Sequence, residues 1–167
     1  GVTLFGSPFC DTWGYDATGW ALLGTSPGSC PVQYSAAYDP QRARVVLYSG
    51  SHDESSTVHE FDGATWSARP VGGSVPPGQI NGNAIAYDRA AGAVVIAGGT
   101  VTVGPVAALD AWQLVVGWSR VAYPRPPALA GAGLAYDSAR RRGVMFGGLA
   151  LGDVPTNATW RYEAGRW

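Results

Sequence analysis

The 167 residues suffice for one domain with its own buried core. Only 14% are charged, against roughly 25% in ordinary soluble domains, while 46% are apolar, with 24 Gly, 12 Pro and 7 Trp. That balance argues against amphipathic helices, which need a charged outer stripe, and the formal net charge of −1 leaves no polybasic surface for nucleic acid or anionic lipid.

In chain order, the first segment reads as the latter part of a unit that later recurs. Leu4-Phe5-Gly6-Ser7 is one short strand, and Asp11-Thr12-Trp13-Gly14-Tyr15-Asp16 is the next. After a tight turn, Trp20 opens a third, so residues 1–24 hold a partial unit. Full units are expected over 33–69 and 82–121, and one lacking most of its last strand over 131–167.

Each begins with a strand ending in Ala-Tyr-Asp: Ala37-Tyr38-Asp39, Ala86-Tyr87-Asp88 and Ala135-Tyr136-Asp137, with the tyrosines 49 residues apart. Asp39-Pro40 and Asp137-Ser138 read as turn starts in which the aspartate caps backbone N–H groups. Arg140, Arg141 and Arg142, the one dense basic cluster, fall in such a turn and read as solvated.

An apolar strand follows each turn and is expected to end in small residues: Ser49-Gly50, Gly98-Gly99 and Gly147-Gly148. These suit a backbone bend or a close approach of neighbouring units. Then come an aromatic strand, a turn and a tryptophan: Trp20, Trp66, Trp118 or Trp167. Ala90 to Leu109 is uncharged and long enough to span a bilayer, but its glycines, Pro105 and place in the repeat make it strand plus loop, so no membrane insertion is expected.

Four short strands per unit of this length is the pattern of a β-propeller blade. The recurring Tyr38, Tyr87, Tyr136, Gly50, Gly99, Gly148 and the four tryptophans are its structural framework, with the aromatics filling wedges between blades. Taken together, these motifs resemble kelch repeats of the bacterial extracellular kind. The departures are Ser7 and Ser49, each in place of one Gly, and Leu114 in place of an aromatic. The resemblance implies an all-β fold of four-stranded antiparallel blades and closure by about six or seven of them. The chain supplies fewer, so it reads as a partial propeller: a piece of a longer protein, or an arc completed by other chains.

Cys10 and Cys30 fall in connections that leave a blade on the same side, so a disulfide between them is expected. By loop entropy it would contribute roughly 3 kcal/mol. It would place the protein outside the cytoplasm, extracellular, periplasmic or on the cell surface.

The long connections lie on that same side, and loops on a rigid scaffold are where binding residues gather. The candidates are His52, Asp53, Glu54, Asn81, Tyr123, Arg125, Asp153 and Asn157. His52, Asp53, Glu54, His59 and Glu60 form the one ligand-rich cluster, but strand alternation separates His59 from Glu60 and no metal is expected. No nucleophile–base pair, phosphate loop or cofactor motif is visible. Copper oxidases that contain kelch repeats need more histidines than the two present. The expectation is a non-catalytic module for a protein or glycan, with assembly through exposed blade faces as the alternative. A non-catalytic part of a larger kelch-containing enzyme comes third.

Overall fold

The computed structural model describes residues 10–25, 34–50, 56–72, 76, 80–101, 111–121, 124, 126–150 and 152–167. Every regular element among them is a strand. In chain order they are β1 (Asp11–Asp16), β2 (Gly19–Thr25), β3 (Tyr34–Asp39), β4 (Arg44–Gly50), β5 (Ser56–Phe61) and β6 (Trp66–Ala68). Next come β7 (Ile80–Asn81), β8 (Ala84–Asp88), β9 (Ala93–Ala97), β10 (Thr100–Val101), β11 (Ala111–Leu114) and β12 (Trp118–Arg120). The last are β13 (Gly133–Asp137), β14 (Arg142–Phe146), β15 (Leu149–Ala150), β16 (Val154–Pro155) and β17 (Thr159–Tyr162).

Strands β3-β4-β5-β6 and β8-β9-β11-β12 form two four-stranded antiparallel sheets, each in sequence order. β13-β14-β17 forms a third sheet, and β1-β2 is a hairpin. The first strands of the three sheets, β3, β8 and β13, lie side by side. This is the blade architecture expected from the repeat, without closure into a barrel.

Apolar runs in the second strands explain the stacking. All five residues of β9 are buried, because its sheet is covered on both faces. Alternation sends Val94 and Ile96 into a cluster with Val46, Tyr48 and Val58 of the preceding sheet. Val95 and Ala97 turn the other way and pack with Met145 and Tyr162 of the following one. Each fully buried large aliphatic side chain stabilises by about 1.5–3 kcal/mol, so these two interfaces hold the arc together. Trp112 and Trp118 complete the first cluster, with Trp118 edge-on to Tyr48 at 5.6 Å between ring centroids.

The glycine pairs mark both a close approach and the end of the second strand, as expected. A Cβ on Gly98 would lie 2.3 Å from the Leu129 carbonyl oxygen, and the Gly99 N–H donates to that oxygen at 2.8 Å. The pair is therefore where the next blade's approach segment crosses. As expected, the second strand stops there, β9 at Ala97 and β14 at Phe146. Pairing resumes beyond the bend, with Thr100 opposite Asn81 and, one repeat later, Leu149 opposite Ala130. Positive φ at Gly98, Gly99, Gly147 and Gly148 bends the chain between the blade's ladder and the separate short pairing that follows it. In the second unit Ser49 stands at the first of these positions, and β4 runs on through Gly50.

The repeat tryptophans diverge in burial. Trp118 is buried, Trp66 and Trp167 are half-buried, and Trp20 is 70% exposed beside Tyr15. Trp20 thus fills no wedge, because no described blade precedes the β1-β2 hairpin. That hairpin meets the next sheet through Trp66, whose Nε1 donates to Thr12 Oγ1 at 2.8 Å.

Candidate binding site

The turns joining the first and second strands of each blade are built on their aspartates. Asp39 Oδ1 accepts from the N–H groups of Gln41 and Arg42 at 2.9 and 3.2 Å. Asp88 repeats this with Ala90 and Ala91 at 2.8 and 3.2 Å, and Asp137 accepts from the Arg140 N–H at 3.0 Å. Each turn needs a left-handed residue at one equivalent place, occupied by Ala43, Gly92 and Arg141.

The same aspartates join one blade to the next. Tyr87, buried on β8, donates its hydroxyl to Asp39 of the preceding unit. Tyr136 makes the equivalent bond to Asp88, and its hydroxyl also accepts from the Ala90 N–H at 3.2 Å. Burial pushes the Asp39 carboxyl up, but the bonds from Arg42, Tyr87 and Gln41 outweigh it and hold it below its ordinary value. Burial, then the hydrogen bond to Asp39 and its charge, pushes Tyr87 up to about 12. Tyr38 is the first of the series and is 57% exposed.

Between the three inner strands lies a cavity of about 440 Å³. Its wall is Ala36 and Ala37, Ile85 and Ala86, Leu134 and Ala135, with the three tyrosines nearer the turns. Small side chains leave this space where the inner strands converge. Pro40, Arg89 and Ser138, equivalent residues one past each aspartate, form the rim.

The rim is positively charged although the chain is not. The three turns, residues 39–44, 88–93 and 137–142, hold six of the chain's 11 basic residues against three aspartates. Arg42 is committed to Asp39 and Glu60, both at 2.7 Å, and Arg140 to Asp137 at 2.9 Å. Arg89 is exposed and makes no ion pair with any described residue. A guanidinium above an apolar wall suits a ligand that presents a carboxylate or other oxyanion, while the Tyr87 and Tyr136 hydroxyls are already given to Asp39 and Asp88.

The residues nominated from the sequence lie elsewhere. His52, Asp53, Glu54, Tyr123 and Arg125 are outside the described residues, as is Cys30. Asn81 is paired in β7, Asp153 stands at positive φ in the β15-β16 turn, and Asn157 is exposed. Cys10, just before β1, is not a free thiol. Glu60 is bound by Arg42 and by Arg69 at 2.9 Å, while His59, on the other side of β5, is half-buried and burial lowers its pKa. Among the described residues no group of three metal-ligating side chains comes together, and no helix is long and apolar enough to cross a membrane. Of the triplet, Arg140 and Arg141 sit in the turn and are exposed, as expected, but Arg142 opens β14 half-buried. Arg89 was not nominated. A signal existed: its position reads Pro, Arg and Ser across otherwise matching units, so the framework does not dictate it.

No family model matches the sequence, and no curated protein does. A solved structure titled "Structure of YjhT" superposes with a TM-score of 0.70 at 14% sequence identity, covering 91% of this chain and 48% of that one. The chain thus spans about half the length of YjhT, and the likeness concerns the fold alone: an all-β array of antiparallel, propeller-like blades.

Proposed function

We propose that this chain is a kelch-type propeller segment that binds a protein or glycan partner and has no catalysis of its own. One observation carries the reading: the cavity between β3, β8 and β13, with Arg89 uncommitted at its rim among the described residues. A rigid frame of interlocked blades around an apolar hollow, with a few convergent polar groups, is the usual form of a recognition site. The excess of arginine over aspartate in the three turns favours an acidic partner over a neutral one. Blade motifs of the bacterial extracellular kind and a cysteine that is not a free thiol support an extracytoplasmic setting, with Cys10 joined to Cys30.

The test is an array carrying neutral and carboxylate-bearing glycans and peptides, probed with the wild type and with Arg89→Ala. Binding to acidic members is expected to fall about tenfold or more in the variant, the scale of a lost charge-assisted contact. Undiminished binding by Arg89→Ala, or equal binding to neutral members, would remove the site from the cavity.

A further inference from the structure

Arg89 borders two hollows rather than one. The first is the cavity between the inner strands. The second, of about 300 Å³, opens between the turns at residues 39–44 and 88–93 and is lined by Pro40, Gln41 and Arg89. Pro40 and Arg89 line both spaces, so the two meet at these residues. The second hollow is made by two successive units alone and owes nothing to where the chain begins or ends.

Its polar group, besides Arg89, is the Gln41 carboxamide. Gln41 is exposed; its backbone N–H donates to Asp39, and its side chain makes no hydrogen bond to any described residue. The carboxamide reaches across to the next unit's turn, where a Cβ on Gly92 would lie 3.2 Å from Gln41 Oε1 and 3.9 Å from Nε2. The framework does not dictate this residue either, since the equivalent positions are Ala90 and Ala139. Of the two junctions between the three turns, the first carries the Gln41–Arg89 pair and the second has Ala90 and Ser138 in their places.

We propose that the two hollows together take the C-terminal residue of a partner polypeptide. Its apolar side chain enters the cavity, its α-carboxylate meets Arg89, and the preceding peptide carbonyl accepts from Gln41 Nε2 as the chain leaves through the second hollow. This builds on the cavity as the recognition site, as proposed above. A terminal residue carries a carboxylate and a side chain on one Cα, which matches an arginine at the edge of a wall of Ala, Ile and Leu. An internal Asp or Glu spends its own side chain on the arginine and leaves nothing on the same residue to enter the cavity. Capture of a terminal carboxylate is among the recurring modes of peptide recognition.

The test is fluorescence anisotropy with peptides ending in Leu or Phe, each as free acid and as C-terminal amide, and with amidated peptides carrying an internal Glu. The wild type is expected to bind the free acids and to bind the amides about tenfold more weakly or less, the scale of a lost charge-assisted contact. Arg89→Ala should erase the difference between acid and amide. Gln41→Ala should weaken both by the same factor, because it meets the carbonyl they share. Both residues are exposed, so unchanged circular dichroism serves as the folding control. Equal binding of acid and amide by the wild type, or tighter binding of the internal-Glu peptides, would overturn the terminal capture and leave an acidic partner to the cavity. Unchanged binding by Gln41→Ala would overturn it too, as would binding of carboxylate-bearing glycans but no peptide. Failure of every carboxylate ligand to bind would take the proposed function with it.

Discussion

The phenol–carboxylate bond between successive blades is the most specific single contact in the molecule. Tyr87 reaches Asp39, which is also held by Arg42 and two backbone N–H groups. Tyr87→Phe should destabilise by about 1.5 kcal/mol, the lower range for a bond to a charged group, because Asp39 keeps its other donors. Tyr38→Phe should change stability by less than about 0.5 kcal/mol, its ring being more than half exposed. Urea unfolding of the two variants checks both, and equal effects would contradict the assignment. His59 supplies a pH signature. Its pKa is lowered by burial, so its contribution to stability is complete above the free imidazole's 6.5 and declines as pH falls from there through the folded value. The urea midpoint should therefore drop between about pH 7 and 5, and His59→Gln should flatten that decline.

At the scale of elements, the strands themselves were readable, since three copies of one pattern at a fixed interval leave little freedom of register. The Tyr-Asp pairs, the capped turns and the alternating second strands all stand where periodicity put them. The short separate pairings beyond the glycines were not readable, because the partners of Thr100 and Leu149 are set only where the chain bends back. Exposure was equally hidden: Trp20 and Trp118 are the same residue in the same motif, and only the presence or absence of a neighbouring blade separates them. Gly98 and Gly131 test the bend. Both have φ near +70°, but a Cβ on Gly131 meets nothing within 4 Å, whereas one on Gly98 strikes the Leu129 carbonyl. Gly131→Ala should cost about 1 kcal/mol for the left-handed backbone. Gly98→Ala should cost about 3 kcal/mol or more, because strain at that φ adds to an overpacked contact between blades. Thermal unfolding distinguishes them, and equal melting points would mean that the blades do not approach at Gly98.

Across the whole molecule, a near-neutral chain concentrates its basic residues at one place, where they outnumber the aspartates that build the turns. Six arginines gather in the turns around the inner cavity, while Asp11 and Asp153 lie toward the other end of the blades. The long connections attracted attention in the sequence because loops usually carry binding residues. The inner cavity was not legible there, because alanines and tyrosines in a repeat read as framework until three inner strands are seen side by side. In the proposed reading, the stacked apolar faces supply rigidity and the hollow they surround supplies recognition. The most direct test is to follow backbone and methyl NMR signals while titrating an acidic ligand identified by the array. The account predicts saturable shifts at Ala36, Ala86, Ala135 and Arg89, with little change over residues 149–157. Shifts confined to 149–157, with the inner strands silent, would contradict it and move recognition to the long connections.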